Sequence, residues 1–181
     1  MSTVTWKDVP TRFIDVGGVP FAYRDLGAGS DVPVVFLHHL TAVLDDWDPR
    51  VIDGLAAEHR VIAFDNRGVG ASGGKVPHTV EEMARDAIAF IRAMGLEKVD
   101  LLGFSLGGGV AQMVALQAPD LVRRMVLAGT GPRGAEGIDE MTRIAAAAYL
   151  KAALTMQDPR NFLFFPRTRP ASGRRRTTSP G

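Results

Sequence analysis

Cysteine is absent from all 181 residues. That excludes disulfides, thiolate zinc ligands and a cysteine nucleophile together. Histidine is scarce, with four residues at 38, 39, 59 and 78 and none further on. His59 begins a strand pattern and His78 precedes a helix cap. Neither belongs to a recognisable metal cluster, so no metal and no cofactor are expected. Charge of one sign is lacking too. Twenty-one basic residues face 20 acidic ones, for a net charge of +1. The global electrostatic case for a nucleic-acid or membrane partner falls away. No run is apolar for long enough to span a bilayer. The opening "MSTVTWKDVP" lacks the basic-then-apolar order of a secretory signal. A cytoplasmic protein with a small-molecule partner is expected, and nothing here sets an oligomeric state.

What is present is a globular composition, 46% apolar and 23% charged, on a chain long enough to bury a core. Residues 11–27 read as two short strands around Gly17-Gly18, a hairpin. "VPVVFLHH" (32–39) is a continuous apolar run, as in a strand buried on both faces. Asp48 and Pro49 supply an N-cap and a first-turn proline, with Val51, Ile52, Leu55 and Ala56 as a helical stripe. Residues 59–68 give another strand. Residues 79–95 give a helix with a Thr79/Glu82 capping box and Gly95 at its end. Its apolar face is Val80, Met83, Ala84, Ala87, Ile88, Ile91 and Met94. A strand at 99–104, a helix at 106–118 and a strand at 124–131 follow. This alternation predicts an α/β fold, a doubly wound and mostly parallel sheet with helices on both faces.

Past Gly134 the pattern changes. Residues 138–154 read as an alanine-rich helix with Ile138, Met141, Ala145, Ala148 and Ala152 on one side. The segment "RTRPASGRRRTTSPG" has arginines, prolines and no acid, and reads as an unstructured basic tail rather than a nucleic-acid contact. The expected division is a core at 1–134, a second segment at 135–165 and the tail at 166–181.

One pentapeptide carries chemistry: Gly103-Phe104-Ser105-Leu106-Gly107, at the junction of a strand and a helix. A serine hydroxyl is a poor nucleophile until a base takes its proton, and it must stand clear of the sheet to meet a carbonyl. A sharp strand-to-helix turn does this, and small residues two before and two after let the chain pass itself closely. The helix starting at Leu106 aims its N-terminal N–H groups at the same place, where they would favour an oxyanion. The turn after the strand at 32–39, with His38, His39, Leu40 and Thr41, falls at the same sheet edge and can lend a second N–H.

Three stretches together resemble the α/β-hydrolase fold family, over residues 11 to about 165. "FLHHLTAVLDDW" is similar to its His-Gly oxyanion turn, with His39 where glycine usually stands. "FDNRGVGAS" (64–72) resembles its D-x-R-G-x-G-x-S turn, and "GFSLGG" (103–108) its nucleophile elbow. The resemblance implies that Ser105 is the nucleophile and that the N–H groups of Leu106 and Leu40 are the oxyanion donors. It implies a serine hydrolase of ester or related acyl substrates, with cofactor-free haloperoxidase or perhydrolase chemistry as a sub-case. It also makes residues 138–165 the start of a helical cap. His38 and His39 read as structural groups at a strand end, Asp65 and Arg67 as residues pinning their turn, and Asp45 and Asp46 as a solvated loop.

In the family the acid and the histidine follow later strands. Glu136 and Asp139 stand where some members place the acid, but no histidine follows Ser105. The expectation is a C-terminally truncated hydrolase, with family-like sequence to about residue 166 and a shifted reading frame beyond. The alternative function is that of an inactive fragment or pseudo-enzyme.

Overall fold

The computed structural model describes residues 4–29, 32–132, 138–158 and 162. The chain divides into two compact units, Met1–Arg133 and Gly134–Gly181. The first holds a six-stranded sheet: β1 (Arg12–Val16), β2 (Val19–Leu26), β3 (Val34–Leu37), β4 (Val61–Phe64), β5 (Val99–Phe104) and β6 (Val122–Ala128). Its helices are α1 (Pro49–Ala56), α2 (Val80–Ala93) and α3 (Leu106–Gln117).

Strand order is β1-β2-β4-β3-β5-β6. The β1–β2 hairpin is antiparallel and pairs antiparallel to β4, whereas β4, β3, β5 and β6 run parallel. The chain leaves β3 for β4 on one side and returns through α2 to β5 on the other. The order reverses between β3 and β5, so their C-terminal ends flank the crevice where open α/β sheets bind ligands.

Alternation along the strands separates two cores. Phe21, Val35, Leu37, Ile62, Phe64, Val99 and Leu101 pack on Ala84, Ala87, Ile88 and Ile91 of α2 and on Val110, Ala111 and Val114 of α3. Ala22, Phe36, Val61 and Ala63 point the other way, to Trp6, Leu44 and Ile52 of α1. The predicted face of α2 lacked one member, Phe90, which stacks on Phe64 at 4.2 Å. Helical arcs that meet aromatic strand residues are wider than a narrow stripe.

Local chemistry sets the element ends. Gly17 and Gly18 both have positive φ, as a two-residue hairpin turn requires, and the Asp15 side chain accepts the Gly18 N–H at 3.0 Å. Asp48 accepts the Arg50 N–H at 2.9 Å to cap α1. Thr79 accepts the Glu82 N–H at 3.1 Å to cap α2. The Glu82 carboxylate takes the His78 N–H at 2.8 Å, one residue before the cap itself. At the other end Gly95 (φ 70) donates to Arg92 and Leu96 donates to Ile91, a Schellman closure.

Three strands are shorter than or displaced from their apolar runs. β3 ends at Leu37 and β4 at Phe64, leaving His38 and Asp65 in the turns beyond. β6 starts two residues early, after a short 3₁₀ turn at Pro119–Leu121. It is an edge strand, with Met125, Val126 and Leu127 all exposed.

In the second unit α4 spans Ile138–Thr155. Ala148 and Ala152 are buried, and Ile144, Leu150 and Leu154 are exposed. Glu136 and residues 166–181 lie outside the described residues, as do the side chains of Ile138, Asp139 and Met141. Among the described residues no helix is long and apolar enough to cross a membrane. Nor does any group of three or more His, Asp or Glu among them suit a metal ion.

Candidate active site

Ser105 stands between β5 and α3 with φ 53° and ψ −114°. A non-glycine residue held there carries strain on the order of 1–3 kcal/mol, which the surroundings must overcome. They do so on three sides. The Ser105 N–H donates to the Ala128 carbonyl at 2.9 Å, tying the turn to the end of β6. Its own carbonyl accepts the Gly108 N–H at 2.9 Å and starts the helix. The flanking glycines let the backbones meet. A Cβ on Gly103 would strike the Gly107 carbonyl, one on Gly107 the Leu37 carbonyl, and one on Gly108 the Thr130 side chain. The Gln112 amide then donates to both the Gly108 and Gly131 carbonyls at 3.1 Å, closing the loop after β6 onto α3. That brace had no sequence signal, because its partners lie on another strand's loop.

The contact of Gly107 with Leu37 also fixes the second half of the site. Leu37 pairs with Gly103 in parallel register, so the turn after β3 rises beside the elbow. In that turn Thr41 has φ 66°, and the Ala42 N–H donates to the His39 carbonyl at 3.3 Å. No hydrogen bond among the described residues takes the N–H of Leu40 or of Leu106. Leu40 is 54% exposed and Ser105 is partly exposed, so the edge is open to solvent. The His39 Nδ1 lies 2.8 Å from the Leu40 carbonyl, and its ring meets Phe104 edge-on at 5.3 Å.

The family model of the alpha/beta hydrolase fold matches residues 32–174. The chain belongs to the α/β-hydrolase fold family. A non-heme chloroperoxidase of Streptomyces lividans is 36% identical over 134 residues, 73% of this chain and 45% of its own length. A non-heme haloperoxidase of Rhodococcus erythropolis is 37% identical over 118 residues, 64% of this chain and 42% of its own. Among solved structures, an alpha/beta hydrolase fold protein from Chitinophaga pinensis shares 37% identity with a TM-score of 0.82. It aligns over 91% of this chain and 58% of its own. The chain thus spans less than half the length of these curated relatives.

Within the hydrolase fold the remaining polar residues divide clearly. Asp65 is buried, and its carboxylate accepts the Leu44 N–H at 2.8 Å and the Ala71 N–H at 2.9 Å. Burial pushes its carboxyl above the usual range, against the pull of those two donors. The Ser72 hydroxyl donates to the Asp65 carbonyl and accepts the Ala22 N–H. Arg67 forms a bidentate pair with Asp86 of α2, at 2.9 and 2.6 Å. These residues pin the turn after β4 and, through Leu44, the far end of the turn carrying Leu40. The loop acids are also engaged. Asp45 pairs with Arg24 at 2.7 Å, and Asp46 accepts the Val43 N–H at 2.9 Å.

The two adjacent histidines have opposite environments. His38 is buried, and its Nε2 accepts the Trp47 indole N–H at 3.3 Å. A neutral ring then carries its proton on Nδ1, which has no hydrogen-bond partner among the described residues. Burial above all, with repulsion from His39, lowers its pKa to about 4; a weaker attraction from the Phe64 backbone opposes this. The unfolded value is about 6.5. Between the two, the unfolded chain binds a proton that the folded chain refuses, so folding stability falls as pH drops from about 6.5 to 4. The loss is on the order of 3 kcal/mol. Asp65, with its raised value, works in the opposite sense. The His38 share is therefore read as a difference: urea midpoints of the parent and His38→Gln across this window should converge towards low pH. Parallel curves would show that His38 does not titrate as a buried neutral ring.

Proposed function

We propose that this hydrolase-fold chain carries the nucleophile half of a serine hydrolase site, with Ser105 as the acyl acceptor. The observation that carries the proposal is the Ser105 backbone itself, φ 53° at the strand–helix junction. Strain of this kind persists where the surrounding structure over-determines it, and the inference runs from that outlier to function. The Ser105 oxygen would bond to the acyl carbon of an ester or related substrate. The carbonyl oxygen would take the displaced electron pair and face the N–H groups of Leu106 and Leu40. Collapse of the tetrahedral centre expels the leaving group with a proton and leaves an acyl-serine, which water then cleaves. An oxyanion donor of this kind contributes roughly 10²–10³ in rate.

The names of the two curated relatives favour a variant of the second step. Hydrogen peroxide attacking the acyl-serine in place of water would release a peracid, which oxidises halide without any bound cofactor. The first step and its residues are unchanged, so one experiment addresses both. A fluorophosphonate followed by peptide mapping should label Ser105, and Ser105→Ala should remove the label. Label on another serine with Ser105 untouched would end this assignment. No label anywhere on a folded chain would favour an inactive fragment or pseudo-enzyme.

A further inference from the structure

An oxyanion donor at Leu40 has to keep one orientation. Resting on the reading above, we propose that His39 is a positioning residue: its Nδ1–H latches the Leu40 carbonyl and holds the turn after β3 in a strained form that the backbone would otherwise leave.

Three observations carry this. The first is strain. Among the described residues three other than glycine have positive φ, and two of them, Ser105 and Thr41, lie in the two turns of the site. The Ala42 N–H donates to the His39 carbonyl, so Leu40 and Thr41 are the central residues of a four-residue turn. Positive φ at the second of them alone, 66° at Thr41, is the mark of a type II turn, which favours glycine or asparagine there. Threonine is β-branched and a costly occupant. The second is the latch. The His39 Nδ1 lies 2.8 Å from the Leu40 carbonyl. A carbonyl can only accept, so Nδ1 carries the proton. That bond grips the peptide between Leu40 and Thr41, whose orientation is what separates a type II turn from a type I turn. The third is support. The imidazole also meets Phe104, the last residue of β5 and the one before Ser105, edge-on at 5.3 Å.

The rest of the loop is held elsewhere. His38 accepts the Trp47 indole N–H, and the Leu44 N–H donates to Asp65. Those bonds fix the flanks of the turn and leave its central peptide to the turn itself. The closing bond from Ala42 is long, at 3.3 Å. In a type I form the central peptide turns over, Thr41 returns to negative φ and the closing bond is kept. Relief of strain at one residue and loss of one net hydrogen bond are of the same order, so the latch decides which form is populated. The Leu40 N–H belongs to the adjoining peptide, and a functional group of this kind acts only when held to within about 0.5 Å and 10–20°.

The test reads the turn and the site separately. Asparagine carries an amide N–H at the place of the imidazole Nδ1–H, and leucine has similar size with no donor. The variants are therefore His39→Asn and His39→Leu, each made alone and together with Thr41→Gly. Circular dichroism reports whether each is folded. In a type II turn the Leu40 Hα lies close to the Thr41 N–H, and in a type I turn it does not, so the nuclear Overhauser effect between them reports the form. That effect should be strong in the parent and in His39→Asn. In His39→Leu it should weaken, and fluorophosphonate labelling of Ser105 should slow by roughly five- to tenfold, the size of one net hydrogen bond. In the Thr41→Gly background the strain is gone, so adding His39→Leu should change neither the turn nor the rate appreciably. A His39→Leu chain that keeps the type II contact would overturn the proposal, whether it labels at the parent rate or slowly, since a slow one would show that His39 acts by packing on Phe104. So would a loss of rate as large with Thr41→Gly as without it. If His39→Leu fails to fold, His39→Ala is read by the same two measurements. Label on a different serine in the parent would remove the nucleophile reading, and with it the part of the latch in catalysis, whatever form the turn takes.

Discussion

Gly107→Ala should cripple the site and weaken the fold, while Gly109→Ala, half a turn further along the same helix, should do neither. At 107 the new methyl would occupy the space of the Leu37 carbonyl and come within 2.8 Å of that of His38. They lie at and just beyond the end of β3, a central strand that cannot retreat without disturbing its pairing with β4 and β5. Forced overpacking of this kind costs roughly 1–3 kcal/mol. The larger consequence is geometric. Whatever moves the end of β3 moves the Leu40 N–H, which we propose as an oxyanion donor, and loss of one such donor costs roughly 10²–10³ in rate. At 109 the nearest atom is the Val80 Cγ1 at 3.8 Å, an ordinary contact. There alanine should stabilise the helix by about 0.5–1 kcal/mol. Urea denaturation and the rate of Ser105 labelling, measured on both variants, check the contrast. Equal behaviour of the two would mean that β3 and the elbow are not in register as described.

The second large effect concerns Ser105. Removing its hydroxyl by Ser105→Ala should lower hydrolysis of a simple aryl ester by roughly 10³-fold or more, since no covalent route remains. Ser105→Gly should lose as much activity yet gain stability, on the order of 1 kcal/mol or more, because glycine adopts φ 53° without steric penalty. Stability and activity would then move in opposite directions at one residue, as expected of a strained functional site. If Ser105→Gly were less stable than the parent, the turn would be at ease with serine and its strain would carry no functional message. If Ser105→Ala kept the esterase rate, the activity would belong to another residue.

The elbow was legible in the sequence because its requirements are local. Glycines at 103 and 107 and a helix-forming run after Ser105 describe one turn, whatever surrounds it. The hairpin at Gly17-Gly18 was legible for the same reason, as were the caps at Asp48, Thr79 and Gly95. The contrast between His38 and His39 was not legible. One ring is sealed by Trp47 on a loop nine residues on, and the other leans on Phe104 from a different strand, 65 residues away. Burial of a side chain just past a strand end depends on which elements cross over it, and no periodicity encodes that. Asp65 and Arg67 were identified as turn residues. That Asp65 also reaches Leu44, and so braces the turn bearing Leu40, required the three-dimensional path. Phe90 joined the core through a stack on Phe64 that a helical stripe alone does not reveal.

The exposed strand β6 has a consequence for refolding of this chain. Among the described residues pairing with β5 uses one of its two edges, and no described strand pairs with the other, beside Met125, Val126 and Leu127. Backbone groups recognise any extended segment of compatible twist, whatever its sequence, and a second copy of the chain is always at hand. Folding within one molecule is first order, whereas capture of β6 by another molecule is second order. The balance between them shifts with concentration. Dilution during refolding is therefore expected to favour a sheet that ends at β6 over one that continues into a neighbour.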